Sequence, residues 1–166
     1  MHELSPERVL TIEICWLLES ETTCLVNIYA PNDRATHLQF WNGIDAKQRS
    51  KSMPKPDFVL SDFNVTEEQI DRSPARLDNP NAIKALWDLR HAWEIHNAWR
   101  LAYSTEKIYT YRANADGQQI KSRLDRIYIA RQASCMTINW KACPSPVPTD
   151  HLSPSQGATL DYEVMR

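Results

Sequence analysis

The most constraining feature of the sequence is a short apolar run that leads directly into a polar cluster. Residues 56–66 read PDFVLSDFNVT, and the run at 58–60 is too short for an independent helix and follows a proline. We therefore predict a buried strand. Asp62 and Asn64 come directly after it, and alternation along an extended chain would put both on one face. The alternative is an ordinary Asx turn, because Asp and Asn are common turn residues.

Length and composition predict one soluble domain over residues 1–166. The chain is long enough for a sizeable core, with 42% hydrophobic and 24% charged residues. A net charge of −2 gives no global basic field, so any contact with nucleic acid needs a local patch. No apolar run approaches the roughly 20 residues of a membrane span, and no signal-peptide pattern is visible, so we expect an intracellular protein. The four cysteines show no CxxC spacing, which favours free thiols.

Hydrophobic patterning predicts an α/β chain in which strands dominate. Asp33 can cap the first helix, while Asn79 and Pro80 can open the second. Asp116-Gly117 predicts a hairpin turn. The absence of GxGxxG and of regular βαβ alternation excludes a Rossmann fold, and the order indicates part of an α/β sandwich with a mixed sheet covered on one face by both helices. The predicted strands are residues 8–18, 23–30, 58–60, 107–112, 122–130, 134–142 and 158–165, and the predicted helices are residues 33–48 and 80–94.

Polar residues that can perform phosphate chemistry collect at the predicted strand ends. A carboxylate beside an imidazole can serve a metal ion and a phosphate together, and Mg²⁺ takes one or two carboxylates plus waters and phosphate oxygens. Hydrolysis of a phosphate ester needs a metal to neutralise charge and a base to activate water. A third carboxylate could orient the histidine. The residues in question are Tyr29, Asn32, Asp62, Asn64, Asp125, Asp150 and His151.

Five motifs in order carry a resemblance to a known family. They are YAPND at 29–33, DFVLSDFNVT at 57–66, YTYR at 109–112, SRLDRIYIA at 122–130 and TDH at 149–151. This set resembles the endonuclease/exonuclease/phosphatase superfamily. The particular likeness is to the endonuclease domain of non-LTR retroelements, especially fungal ones, which is similar to abasic-site DNA endonucleases. The likeness runs from Arg8 to His151, which is nearly the whole chain.

The resemblance implies roles for the matching residues that activate the attacking water and contact the substrate. Asp62 would be the acid/base that activates water, and Asn64 would orient Asp62 and contact the phosphate. Tyr29 would lie against the scissile phosphate, and Asn32 would contact the nucleic-acid backbone.

The remaining matching residues concern the metal and the phosphate oxygens. Asp150 would help to hold Mg²⁺ or Mn²⁺, and His151 would polarise the phosphate in an orientation fixed by Asp125. The resemblance also implies DNA as partner and a nuclear location. Arg123 and Arg126 are expected to be structural.

Three departures from the family pattern shape these expectations. Ser61 stands where the family usually has glycine, and LSPSQG follows His151 in place of an apolar strand. The family's early Asn and metal-ligating Glu have no matching motif upstream of Tyr29. We therefore expect an N-terminally truncated domain, a partial four-layer α/β sandwich with a mostly antiparallel mixed sheet, and weak metal binding. An exposed apolar sheet face should invite a partner or the remaining polypeptide.

Several alternatives stay open from the sequence. The chain could be a Mg²⁺-dependent DNA endonuclease, a catalytically inactive retroelement remnant, or a phosphatase of the same fold acting on a small phosphoester. Trp99 is the one tryptophan retained as a base-stacking candidate. A basic stripe could bind phosphates or could be a salt-bridged surface; it consists of Lys121, Arg123, Arg126 and Arg131.

Overall fold

The fold is α/β, with mixed sheets and three α-helices among the described residues. The computed structural model describes residues 2–5, 8–15, 22–33, 35–115, 117–144 and 149–158. The elements in chain order are β1 (His2–Ser5), β2 (Val9–Cys15), β3 (Thr22–Tyr29), α1 (His37–Ser50), β4 (Phe58–Asp62), β5 (Arg72–Ser73), α2 (Pro80–Trp93), β6 (Ile95–His96), α3 (Ala98–Ala102), β7 (Tyr111–Ala115), β8 (Gln118–Ser122), β9 (Asp125–Ala130), β10 (Thr137–Pro144) and β11 (Leu152–Ala158).

A six-stranded sheet forms the centre of the molecule, in the order β1-β2-β3-β4-β9-β6. Within it β3 and β4 run parallel, and every other neighbouring pair is antiparallel. The predicted mostly antiparallel mixed sheet is therefore confirmed. A three-stranded sheet has the order β5-β8-β7, and β10 pairs with β11.

One face of the central sheet is buried under α1 and α2. Alternate residues of each strand point into this core, because successive side chains of a strand lie on opposite faces. The helices contribute Trp41 and Ile44 from α1 and Leu86, Leu89 and Trp93 from α2. The sheet contributes Val9, Cys24, Val26, Ile28, Val59, Tyr128 and Ala130. The prediction that both helices cover one face is confirmed.

The opposite face is covered only in part. Over β9 it packs against Ala98 of α3 and Ala133, which contact Ile127 and Ile129. Over β2 and β4 the same face remains open, with Ile12 at 38% and Leu60 at 37% exposure. The predicted exposed apolar face is therefore present on these strands.

The two predicted helix starts differ in outcome. Asn79 caps α2 by accepting the N–H of Asn81, with Pro80 at the first turn, as predicted. Asp33 does not cap α1, which begins at His37. Its carboxylate instead accepts the N–H of Ala35 at 3.1 Å, so it forms a turn before the helix.

Several predicted segments require correction. The segment with Trp99 and Arg100 is the short helix α3, not a loop. The predicted strand at 122–130 is two strands in two different sheets, interrupted at residues 123–124. The predicted strand at 107–112 begins only at Tyr111, and a 3-10 helix (Arg131–Met136) precedes β10.

Other predictions fall partly on residues outside the described ranges. These are the end of the strand predicted at 8–18, the turn that follows it, Asp116 of the hairpin turn, and the final strand at 158–165 beyond Ala158. Gly117 has a φ of 75°, as the predicted turn between β7 and β8 requires.

Candidate active site

Three of the predicted residues form one row across three neighbouring strands. The register pairs Tyr29 at the end of β3 with Asp62 at the end of β4, and it pairs Asp62 with Asp125 at the start of β9. All three lie on the face of the sheet that α1 and α2 do not cover. Strand pairing therefore builds this part of the site, because residues opposite each other on neighbouring strands share a face.

Asn64 meets Asp62 through a turn rather than through strand alternation. Asn64 has a left-handed backbone, with a φ of 50°, which asparagine tolerates better than most residues. Its N–H donates to Oδ1 of Asp62 at 3.1 Å, and its side-chain Nδ2 lies 3.2 Å from Oδ2 of the same carboxylate. The predicted proximity is present, but the reason given for it was wrong, and the Asx turn named as the alternative is what creates it.

The same amide connects Asp62 to the strand beside it. Nδ2 of Asn64 also donates to the backbone oxygen of Ala30 and to Oδ1 of Asn32, both at 2.9 Å. The hydroxyl of Tyr29 lies 3.5 Å from Oδ1 of Asn32. The polar residues that follow β3 and those that follow β4 thus form one hydrogen-bonded group.

Asp125 and His151 form the second group. Nδ1 of His151 lies 2.7 Å from Oδ2 of Asp125, and both side chains are largely buried. Tyr111 pairs with His151 through an isolated β-bridge, and their rings lie 5.0 Å apart. Asp150 is exposed, with Oδ1 at 4.0 Å from Nε2 of His151. The imidazole is therefore fixed on its Nδ1 side, and its Nε2 lies nearer to the exposed Asp150.

All seven sequence-predicted residues line one cleft of about 770 Å³. Other residues of the lining were not predicted, among them two arginines from the segment after the 3-10 turn Gln69–Asp71. Arg76 is exposed, whereas Arg72 is buried and forms a bidentate ion pair with Asp78 at 2.9 Å. The unpredicted lining residues include Arg72, Arg76, Tyr111 and Ser122.

The charges of the cleft fit a divalent cation. One ligand atom each of Asp62, Asp125 and His151 lie within 4.8 Å of one another. Burial raises the pKa of Asp62, and the neighbouring Asp125 carboxylate raises it further because the two acids repel each other when both are ionised. A hard cation would relieve that repulsion, and Mg²⁺ needs only one or two carboxylates. This compact group does not include Asp150, whose predicted metal role stays a prediction.

A buried ionic network lies behind the cleft, and sequence reasoning did not find it. Asp71 accepts Nε of Arg123 at 2.8 Å and Nη2 at 3.0 Å, and it also pairs with Arg100. Although burial opposes ionisation, these arginines hold the pKa of Asp71 below its ordinary value. No spacing in the sequence marks these partners, because Asp71 and Arg123 are far apart along the chain.

The network also settles two open interpretations. Arg123 and Arg126 are buried, so the salt-bridged alternative holds for them and they do not form an exposed stripe. Trp99 is 8% exposed, and the guanidinium carbons of Arg100 and Arg123 lie 4.8 and 4.9 Å from the centre of its ring. Of the two roles that the sequence left open for Trp99, packing and base stacking, the structure therefore favours packing.

Glu67 is a second buried acid that the sequence did not indicate. It pairs with Arg90 and Arg126 and accepts the hydroxyl of Tyr128. Despite burial, the two arginines keep the pKa of Glu67 below its ordinary value. Arg126 also donates to the backbone oxygen of Val65, so this cluster anchors the chain just after the Asp62–Asn64 turn.

Several solved structures superpose on this chain, whereas comparison by sequence finds no relative. No protein-family model matches the sequence, and no curated protein is similar to it in sequence. The endonuclease domain of TRAS1, a telomere-specific non-LTR retrotransposon, superposes with a TM-score of 0.70 at 16% identity, over 95% of this chain and 66% of that one. An AP endonuclease from Archaeoglobus fulgidus gives 0.64 at 20% identity, over 80% and 59%.

A third structure of the same fold includes nucleic acid. The 3' phosphatase NExo from Neisseria, bound to a product DNA hairpin, gives a TM-score of 0.67 at 14% identity, over 93% of this chain and 66% of that one. At these identities the matches establish the fold. The chain therefore has the endonuclease/exonuclease/phosphatase fold, and it spans between 59% and 66% of the length of these three structures. No helix in the described ranges is long and apolar enough to cross a membrane.

Proposed function

We propose that this chain hydrolyses phosphodiester bonds of DNA in a Mg²⁺-dependent reaction. The observation that carries the proposal is the convergence of Asp62, Asn64, Asp125 and His151 in one cleft, with an Asp125–His151 hydrogen bond of 2.7 Å. Proximity of a base, a phosphate-binding donor and a metal-binding pair is what hydrolysis of a phosphate ester requires.

Asp62 is the proposed base. Burial and the Asp125 carboxylate raise the pKa of Asp62, which makes it a stronger base than an exposed aspartate. As Asp62 takes that proton, the water oxygen forms a bond to phosphorus, the bond from phosphorus to the leaving oxygen breaks, and the leaving oxygen takes a proton from solvent. Asn64, which hydrogen-bonds Asp62 in the structure, holds the carboxylate toward the water.

The phosphate is bound by the opposite side of the cleft. His151 donates from Nε2 to a non-bridging oxygen, while the hydrogen bond between Nδ1 and Asp125 fixes the ring. Tyr29 and Asn32, which lie at the exposed end of the row, contact the scissile phosphate and the adjoining backbone.

Asp62 and Asp125, with Asp150 at the rim, would hold the cation. When bound, Mg²⁺ supplies charge neutralisation for the phosphate oxygens. We expect weak binding, because the metal-ligating Glu of the family pattern has no matching motif in this sequence.

A small phosphomonoester is the second candidate substrate. One structure of the same fold is named a 3' phosphatase, and the open cleft does not restrict the substrate to a polymer. The distinction follows from two assays on the same purified chain, nicking of a supercoiled plasmid and release of phosphate from para-nitrophenyl phosphate, each with Mg²⁺ and with EDTA.

We expect Mg²⁺-dependent nicking that Asp62→Asn and His151→Ala reduce by at least about 10³-fold. Asp88→Asn is the matched control, since Asp88 lies on the exposed surface of α2 and pairs with Lys84. Phosphate release without nicking would select the phosphatase. No turnover of either substrate by the folded chain would contradict both and support an inactive retroelement remnant.

A further inference from the structure

Thr110 is a buried residue beside the cleft to which the sequence assigned no role. It lies directly before β7 and is 2% exposed. Four hydrogen bonds of Thr110 reach segments that carry residues of the cleft. The hydroxyl of a buried threonine usually hydrogen-bonds only to nearby backbone, whereas the partners of Thr110 belong to separate segments around the cleft.

The hydroxyl of Thr110 holds the backbone of Asp125. Oγ1 accepts the N–H of Leu124 at 3.0 Å and the N–H of Asp125 at 2.9 Å. These two amides lie where the chain leaves β8 of the three-stranded sheet and enters β9 of the central sheet. A side-chain oxygen therefore fixes the point at which Asp125 joins its strand.

The backbone of Thr110 holds the segment that carries His151. Its carbonyl accepts the N–H of Leu152 at 2.6 Å, and its N–H donates to the oxygen of Ser122 at 3.0 Å. The next residue, Tyr111, forms the β-bridge to His151. One residue thus connects the backbones on both sides of the Asp125–His151 hydrogen bond.

We propose that Thr110 is a positioning residue whose hydroxyl sets the orientation of Asp125 toward His151. It does not touch substrate. Without the hydroxyl, two buried amides lose their acceptor, and the turn that places Asp125 must move to satisfy them. The kinetic consequence rests on the function proposed above, whereas the structural consequence does not.

The test compares Thr110→Val, which removes the hydroxyl and keeps the branched shape, with Thr110→Ser, which keeps the hydroxyl. Thr11→Val is the matched control. Thr11 is equally buried, on the helix-covered side of β2, and its hydroxyl has no hydrogen-bond partner in the described part of the chain.

The first readout is NMR on the metal-free, ¹⁵N-labelled chain. In Thr110→Val we expect faster deuterium exchange at the Leu124 and Asp125 amides and a shift of the His151 ring nitrogens. The serine variant and the Thr11 control should match the wild type at these nuclei. Unchanged His151 ring signals in Thr110→Val would overturn the proposal. Should valine prevent folding, Thr110→Ala removes the same hydroxyl and gives the same comparison.

The second readout is the nicking rate. We expect Thr110→Val to lower kcat by about 10²-fold with KM unchanged, because misplacement of a reacting group by about 1 Å costs that much. Thr110→Ser should retain kcat within a few-fold. An equal loss in both variants would contradict the role of the hydroxyl. If the wild type hydrolyses neither substrate, the proposed function fails and the NMR comparison alone decides the role of Thr110.

Discussion

The two faces of the central sheet differ in what they bury and in what they carry. On one face Ile28 and Val59 are buried under α1 and α2. On the other, Leu60 is 37% exposed and the row Tyr29, Asp62, Asp125 follows at the strand ends. The strands are the same, so the difference arises from the alternation of side chains alone. One set of strands thus serves a stabilising core on one side and a polar site on the other.

The covered part of the second face has buried ion pairs beside its apolar contacts. Helix α3 packs over β9 next to the pairs that Asp71 makes with Arg100 and Arg123. Asp71→Ala leaves Arg123 buried without a counter-ion and leaves Arg100 with only the half-exposed Glu68 at 3.7 Å, so we expect a loss of about 3–5 kcal/mol in the free energy of unfolding. Urea denaturation measures it.

The control for that variant is Asp88→Ala, which removes an exposed pair with Lys84 and should cost less than about 0.5 kcal/mol. Equal losses for the two variants would mean that the Asp71 pairs are no stronger than surface pairs. Buried ion pairs would then not distinguish the part of the second face that α3 covers from the open part over β2 and β4.

Truncation of one apolar side chain on each face tests the comparison directly. Ile28→Ala should cost about 2–5 kcal/mol, because it leaves a cavity in the core. Leu60→Ala should cost less than about 1 kcal/mol, because Leu60 is already partly in water. Thermal and urea unfolding of the two variants give both values. A Leu60 loss as large as that of Ile28 would mean that the open face is covered in solution.

The smallest effect that we expect is a gain of stability from Asp62→Asn. Burial and Asp125 raise the pKa of Asp62 in the folded chain, so the folded state favours the protonated form and loses stability as the pH rises through that pKa. Asparagine carries no charge, and its oxygen can still accept the N–H of Asn64. Without metal, the variant should be more stable than the wild type at pH 8.

That advantage should disappear toward pH 4, close to the ordinary pKa of an aspartate, where both states of the wild type are increasingly protonated. Urea titrations in EDTA at the two pH values give the comparison. A wild type that is the more stable protein at pH 8 would show that Asp62 is stabilised as a carboxylate, against the repulsion from Asp125.

The sequence predicted the parts of the fold that depend on local patterns. Alternation identified β3 and β4, and the Asn79-Pro80 cap placed the start of α2 correctly. The strand predicted at 122–130 was wrong as a single unit, because SRLDRIYIA alternates well enough to hide the change of sheet at residues 123–124. The backbone at this change of sheet is held by Thr110 and Asp71, and both residues lie outside the predicted strand.

In the candidate site, too, local patterns were predictable from the sequence and tertiary features were not. Ordered motifs predicted seven of the residues that line the cleft. The sequence could not predict how they meet, since the strand register and the left-handed backbone of Asn64 are tertiary features. It also could not separate Arg126, which is buried in ion pairs, from Arg76, which is exposed in the cleft.

Paramagnetic relaxation by Mn²⁺ tests most directly whether the row on the open face forms one metal-binding site. Mn²⁺ titrated into the ¹⁵N-labelled chain should first broaden the amides of Tyr29, Asp62 and Asp125 and the ring of His151, and Mg²⁺ should reverse the broadening. The amides of α2, which packs on the opposite face of the sheet, should be broadened only later in the titration. Broadening that starts elsewhere, or that persists in a chain carrying Asp62→Asn and Asp125→Asn together, would contradict the account.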